Sequence, residues 1–259
     1  MTNNALIGAT GFVGNNILQQ ETFSHTYSSA NIQDIQGKSF DLVVCAGVRA
    51  EKWKANREPV DDLDNIEYLI SNIRNISAKQ FLLISTVDVY PFPQKVTEDS
   101  HIEPKLLAPY GKHRFYLEEF TKMQFPNHTI IRLPGLIGAG LKKNFIFDML
   151  YNLDAISLTH FKSLYQIYSL NTIWRDISLI LKNGIQLANF ATPPLSAEEI
   201  ANICFGVSFK NVPAQPPVNY DMHTKYSWVF SHAGNYIYSK EYELELIKDF
   251  VDSERNSPR

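Results

Sequence analysis

Short apolar runs recur at wide intervals through the first half of the chain. Ala5-Leu6-Ile7, Asp41-Leu42-Val43-Val44-Cys45-Ala46-Gly47, Phe81-Leu82-Leu83-Ile84-Ser85 and Thr129-Ile130-Ile131-Arg132-Leu133 are continuous rather than alternating. Runs of that kind read as parallel strands covered on both faces. A weaker candidate, His25-Thr26-Tyr27-Ser28-Ser29, lies between the first two. In the intervening segments the apolar residues move to helical spacing: Leu63, Ile66, Leu69, Ile70 and Ile73 within residues 61–77, then Phe115, Leu117 and Phe120 within residues 110–123. Strand and helix in alternation predict an α/β fold, a Rossmann-type doubly wound parallel sheet. Functional loops are then expected at the carboxyl ends of the strands.

From about Gly135 the pattern changes. Residues 142–153, 172–182 and 242–251 read as helices, and residues 166–170 and 186–191 as short strands. Ser196-Ala197-Glu198-Glu199 has the form of a capping box opening a helix that runs to Phe205. Residues 210–217 carry prolines and read as loop, and residues 252–259 as a frayed end. The expected division is a core over residues 1–135 and a mixed segment, residues 136–259. That segment completes the core with a late strand and helices and forms a small substrate lobe.

One stretch organises the rest. Gly8-Ala9-Thr10-Gly11-Phe12-Val13-Gly14 follows the first apolar run and precedes a helix-like segment. In a strand–turn–helix setting the first glycine permits a tight turn. The second lets backbone approach a pyrophosphate, and the third lets the helix lie close to the sheet. Amide N–H groups at the helix start would then face phosphate. Dinucleotide binding is the expected function of this loop.

Composition narrows the picture further. At 259 residues and 44% hydrophobic, the chain can bury a large core. Its net charge of −3 argues against a nucleic-acid or anionic-membrane surface. Cys45 and Cys204 are too few for a disulfide framework or a zinc site, and Cys45, within an apolar run, reads as a reduced buried thiol. His113, His128 and His160 show no metal-ligand spacing, so no metal is expected. There is no secretory signal pattern and no apolar run of membrane-spanning length, which leads to the expectation of a cytoplasmic, soluble protein. A small-molecule substrate is the expected partner, and a homodimer is compatible with the sequence.

Two further stretches carry chemistry. Ser85-Thr86-Val87-Asp88-Val89-Tyr90 follows a strand, and Pro109-Tyr110-Gly111-Lys112-His113-Arg114 opens a helix. With the glycine loop, the residue 41–47 run and Arg132-Leu133-Pro134-Gly135-Leu136-Ile137-Gly138, they occur in the order of one family. The chain resembles the short-chain dehydrogenase/reductase superfamily, extended branch, which includes nucleotide-sugar epimerases and dehydratases. The resemblance covers most of the first 200 residues. It implies an NAD(P)-dependent oxidoreductase or epimerase/dehydratase acting on a small polar, nucleotide-sugar-like substrate. It assigns substrate orientation to Thr86 and general acid–base work to Tyr110. Gly8, Thr10, Gly11, Phe12, Val13, Gly14, Cys45, Ala46, Gly47, Leu133 and Pro134 are expected to line the cofactor, with Tyr110 and Arg114. The alternative is a non-catalytic NAD(P)-binding sensor or scaffold on the same fold.

Three departures from the family pattern stand out. Its lysine, one helical turn after the tyrosine, is replaced by Arg114, while Lys112 faces away. Arg114 can offer charge to Tyr110 and hydrogen bonds to a ribose, and a fixed cation is expected to lower the phenol's pKa, but arginine cannot release a proton. The acid expected after the second strand is replaced by Ser28-Ser29, which favours NADP slightly over NAD, with Asp34 as the other candidate for a ribose partner. Finally, residues 29–41 leave little room for the usual third strand and its helix.

Overall fold

The structure is a computed structural model and describes residues 3–256. In chain order the elements are β1 (Asn4–Ile7), α1 (Phe12–Leu18), β2 (His25–Tyr27), β3 (Ser39–Cys45), α2 (Lys52–Arg57), α3 (Pro59–Ile73), β4 (Ser77–Thr86), α4 (Pro109–Gln124) and β5 (His128–Leu133). There follow β6 (Gly135–Ile137), α5 (Phe145–Tyr151), β7 (Leu164–Tyr165), β8 (Ile167–Ser169), α6 (Ile173–Lys182), β9 (Leu187–Asn189), β10 (Leu195–Ser196), α7 (Ala197–Ile200) and α8 (Lys240–Asn256).

The chain divides into two units. The first holds residues up to Phe92, Ser100–Leu133 and Ile173–Ala188. It is built on a six-stranded sheet in the order β2-β1-β3-β4-β5-β9, with β1–β2, β1–β3, β3–β4 and β4–β5 parallel. The continuous apolar runs are explained by cover on both faces. Neighbouring residues Val43 and Val44, like Phe81 and Leu82, point to opposite sides of the sheet, and all four are fully buried. On α3 the apolar stripe Ile66, Leu69, Ile70 and Ile73 is buried as its spacing predicts. The buried face of α4 is different, because it carries Tyr110, His113, Arg114 and Glu118 beside Leu117 and Phe120. α6 closes the far side against α1, where Trp174 meets Phe23 edge-on at 5.5 Å and its backbone N–H donates to Gln20.

The economy expected after β2 is real. A single 3-10 turn, Ile32–Ile35, joins β2 to β3, and β3 pairs on the opposite side of β1. β2 therefore ends the sheet where a further strand would otherwise stand.

The second unit holds Pro93–Asp99, Pro134–Thr172 and the residues from Asn189 on. Its core gathers Ile137, Ile146, Leu195, Ile200, Ile247 and Val251. Two short ladders, β6–β8 and β7–β10, support it. The capping box at Ser196 is formed: its hydroxyl accepts from Glu199 N, and Glu199 accepts from Ser196 N at 2.9 Å. Residues 93–99 join this unit through Glu98, whose carboxylate accepts from Asn189 N, Thr224 Oγ1 and Lys225 N.

Several sequence expectations need correction here. The strand read over 166–170 is shortened to β8; Gln166, between β7 and β8, turns its side chain inward to bond Thr192 and Met222 backbone. The helix read from residue 142 starts at Phe145, where the Asn144 side chain accepts from Phe147 N. The strand read over 186–191 ends at Asn189. Residues 252–256, read as frayed, continue α8, which is anchored through Ile247, Phe250 and Val251; residues 257–259 lie outside the described residues.

Candidate active site and nucleotide cleft

The glycine loop lies at the carboxyl end of β1. Gly8 and Ala9 both donate from their backbone N–H groups to Tyr27 O, which ties the loop to β2. Gly8 takes a positive φ of 85°, and a Cβ there would fall 2.4 Å from Ala46 O. A Cβ on Gly14 would fall 2.1 Å from Gly8 O. These two glycines are demanded by the fold itself. Gly11 is not: its Cβ would meet only Gly8 O at 3.2 Å and Ala46 O at 4.0 Å. Thr10 and Gly11 are exposed, with Phe12 and Val13 half-buried at the start of α1.

A cleft opens beside this loop. Gly8, Ser28, Ser29, Gly47, Arg49 and Tyr68 are among the residues lining it. Four of the expected cofactor residues, Gly8, Ser28, Ser29 and Gly47, are thus brought together. Ser28 is fixed by Asn31, which accepts from its backbone N–H at 2.7 Å. Asp34 stays exposed on the 3-10 turn and is not among the lining residues. Ala46 is half-buried beside Gly47. Cys45 is wholly buried, so only its backbone can face a ligand, and burial pushes its thiol up to about 11.

Thr86 ends β4, in register with Leu133 at the end of β5. Pro134, the next residue, opens the second unit and is buried. The Thr86 hydroxyl accepts from Asp88 N at 3.2 Å, and its proximity favours the ionised form of the Tyr110 phenol. The two residues singled out for catalysis, 24 positions apart in sequence, are therefore brought near one another. Gly111 makes this approach achievable. A Cβ at that position would sit 1.9 Å from Asp88 O, so only glycine lets the first turn of α4 close on the turn after β4. Asn56 of α2 accepts from Tyr110 N at 3.0 Å and caps α4 from outside.

Arg114 lies one turn below Tyr110, its guanidinium 3.9 Å from the centre of the phenol ring. Its charge is committed elsewhere. Both terminal nitrogens grip the Asp62 carboxylate of α3, one also donates to Arg49 O at 2.5 Å, and His113 Nδ1 bonds the same carboxylate at 2.8 Å. The Arg114 and His113 partners hold the Asp62 carboxyl below its usual range despite its burial. For Tyr110, the lowering expected from Arg114 is present but is outweighed. Burial is the largest influence, Asp88 adds to it, and the phenol is pushed up rather than down.

Beneath the pair lies a second buried ion pair. Arg132 of β5 donates to both Glu118 oxygens, at 3.0 and 2.5 Å, and to the Tyr90 hydroxyl at 2.6 Å. Ser85, next to Thr86, donates to Glu118 at 2.5 Å. β4, α4 and β5 are thereby locked together one residue from the Thr86 hydroxyl. No group of His, Cys, Asp and Glu residues able to hold a metal occurs among the described residues.

Sequence reasoning did not single out Asp62, Asn56 or Asp88. Asp62 had a signal, because it continues the Ile66, Ile70, Ile73 stripe of α3 and so puts an acid on a buried face. Asp88 stood inside a motif already quoted. Asn56 carried none, since α2 has no clear periodicity.

This arrangement, with its parallel sheet, glycine loop after the first strand, Thr86 at the end of β4 and Tyr110 at the start of α4, has the fold of solved nucleotide-sugar reductases, dehydratases and epimerases. Solved structures with that fold superimpose along nearly the whole chain. A dTDP-4-dehydrorhamnose reductase from Bacillus anthracis, in complex with NADP, is 13% identical with a TM-score of 0.74, covering 98% of this chain and 99% of its own. An NAD-dependent NDP-hexosamine 5,6-dehydratase of tunicamycin biosynthesis is 14% identical with a TM-score of 0.72, covering 98% of each chain. A UDP-N-acetylglucosamine 4-epimerase from Methanobrevibacter ruminantium is 15% identical with a TM-score of 0.70, covering 97% of each chain. No protein-family model matches the chain, and no curated protein matches its sequence.

Proposed function

We propose that this chain is an NAD(P)-dependent oxidoreductase or epimerase/dehydratase acting on a small polar substrate of the nucleotide-sugar class. The observation that supports the reading is the placing of Thr86, at the carboxyl end of β4, and Tyr110, on the first turn of α4 packed against the turn after β4, in the unit that also holds the glycine-lined cleft. The chain's residues fit a dinucleotide. Gly11 leaves an open face that a Cβ would fill, and Arg114 Nε is a buried donor with no partner in the structure, suited to a ribose hydroxyl. The neutral Ser28 and Ser29, with the exposed cation Arg49 on the same cleft, favour a 2′-phosphate and hence NADP. The nucleotide-sugar class rests on the printed activities of the similar structures.

A bound nicotinamide supplies or takes up the hydride. Thr86 holds the reacting oxygen of the substrate against Tyr110, and Tyr110 exchanges a proton with that oxygen at its phenol Oη. The Glu118–Arg132 lock keeps the two hydroxyls in place.

The test begins with calorimetry of NADP and NAD on the wild type and Gly11→Val. The wild type should bind NADP at least as tightly as NAD, and Gly11→Val should lose both while its thermal melt stays cooperative. Unchanged affinity in Gly11→Val, or NAD bound tenfold tighter, about 1.4 kcal/mol, overturns the cofactor assignment. A panel of nucleotide sugars and small carbonyl compounds follows. There Tyr110→Phe should lose roughly 10²-fold or more in turnover with cofactor affinity intact. Tight cofactor binding with no turnover of any compound points instead to the non-catalytic sensor.

A further inference from the structure

Proton transfer at a buried phenol needs a cation, and Arg114 is poorly placed to act alone. It is 4% exposed, both its terminal nitrogens are engaged, and the lowering it exerts on the phenol is outweighed by burial. A second cation reaches the same pair from α2. Lys52 Nζ sits 2.6 Å from Asp88 Oδ1, and the Asp88 backbone N–H donates to the Thr86 hydroxyl. Lys52 and Asn56 are four residues apart on α2 and so share a face. Asn56 accepts from Tyr110 N, which seats that face on the first turn of α4. The adjacent face of α2, about 100° round the helix, carries an exposed stack of Arg57 on Trp53, 4.7 Å from the ring centre.

We propose that Lys52, seated on Asp88 beside the Thr86–Tyr110 pair, is the ammonium that supports proton transfer at Tyr110 in this chain, as a positioning residue acting through that phenol. The proposal rests on the acid–base role given to Tyr110 above. When the phenol passes its proton to a substrate oxygen, the O–H bond breaks and the electron pair stays on Oη. The resulting phenolate is stabilised by an ammonium that approaches from a different element than Arg114. Lys52 differs from Arg114 in the property that matters. Its side chain is 46% exposed, so it can exchange protons with water, whereas Tyr110 is only 8% exposed. The charged and titratable groups around the phenol are Arg114 on its own helix, with Asp62 and His113 behind it, Asp88 on the turn after β4, and Lys52 on α2. Arg114 and Lys52 favour the phenolate, as does the nearby Thr86 hydroxyl, while Asp88 opposes it.

The experiment reads the phenol directly and needs no substrate. A ring-fluorinated tyrosine, intrinsically more acidic than tyrosine, is placed at position 110 in the full chain, and its ionisation is followed by fluorine NMR against pH. Lys52→Met should move the titration to higher pH, Lys52→Arg should restore it, and Asp88→Asn should move it to lower pH. Lys112→Met, on the exposed face of α4, should leave it unchanged and controls for net charge. The proposal is overturned if Lys52→Met titrates like the wild type, or if Lys112→Met moves the titration as far as Lys52→Met does. If a turnover assay is found, the basic limb of its pH profile should follow the same order. Should Tyr110→Phe prove fully active, the acid–base reading fails while the fluorine titration still reports whether Lys52 tunes the phenol.

Discussion

Replacing Asp62 by Asn keeps the side chain's shape and removes its charge, which isolates what the α3–α4 ion pair contributes. Three groups depend on that carboxylate: the two terminal nitrogens of Arg114 and Nδ1 of His113. The side chains are 8% exposed for Asp62 and 4% for Arg114, so water cannot take the carboxylate's place at the guanidinium. Removing one partner of a buried pair costs roughly 3–5 kcal/mol, because it strands the other charge. Arg114 already carries one buried donor without a partner, which leaves it little means of compensating. An Asn oxygen still accepts one hydrogen bond, so the lower end, about 3 kcal/mol, is expected. Against a total stability of roughly 5–15 kcal/mol that is a large fraction. For a chain of this size it corresponds to a fall in Tm of about 6–12 °C. Urea denaturation followed by circular dichroism gives the free energy, and calorimetry the Tm. The double variant Asp62→Asn/Arg114→Met should recover most of the loss, since it removes the stranded charge. The sign with pH is also fixed. The Asp62 carboxyl is held below its ordinary value of 3.8, so its contribution is present above that value and is lost as pH falls through the folded-state pKa. Wild type and Asp62→Asn should therefore converge in acid. Stability at neutral pH within about 0.5 kcal/mol of wild type, the range of ordinary surface substitutions, would refute the reading of this pair as buried and committed.

Gly111→Ala places a Cβ 1.9 Å from Asp88 O, where contacts under 3.0 Å essentially never occur, so α4 must retreat by about 1 Å. Turnover should fall on the order of 10²-fold, with the melt lowered modestly; retained turnover would show that the Thr86–Tyr110 approach is not critical. Glu243 is 1% exposed, accepts from Ile167 N at 3.0 Å and faces the Thr192 hydroxyl, yet burial raises its carboxyl well above 4.5. The unfolded chain ionises first, so wild-type stability should decline as pH rises from about 4.5 towards the folded-state value, and Glu243→Gln should abolish that slope. Urea midpoints of the two proteins, measured across that range, should draw apart with rising pH, and parallel curves would refute the assignment.

The sheet was legible because its strands are buried on both faces. Continuous apolar runs such as Val43-Val44-Cys45 have no other reading that fits between helical segments of matching period. The glycine loop was legible because Gly8 and Gly14 are sterically required, and steric need leaves a fixed spacing. α4 was legible only in part. Its length followed from Leu117 and Phe120, but its inward face is charged, so periodicity could not reveal which residues Arg114 and Glu118 would meet. Their partners, Asp62 on α3 and Arg132 on β5, come from elements that only the fold brings near. The same limit hid α2. A six-residue helix has too few positions for a pattern, and its value lies in where Lys52 and Asn56 are set down. In the second unit, β8 starts one residue later than expected, because the inward Gln166 amide takes the Thr192 and Met222 backbone as its partners.

The short passage from β2 to β3 bears on how this chain can be enlarged. Because β2 is the terminal strand, a segment inserted after Ser29 would be added at the margin of the sheet and would leave the existing pairings of β1 with β2 and β3 undisturbed. Loop length is lenient energetically, each doubling costing only about 0.6 kcal/mol. A graft of one strand and one helix between residues 29 and 39 could therefore widen the sheet and bring a new wall to the side of the cleft where Ser28 and Ser29 stand. That margin is the natural place to reshape the Ser28–Ser29 side of the cleft without touching Thr86 or Tyr110.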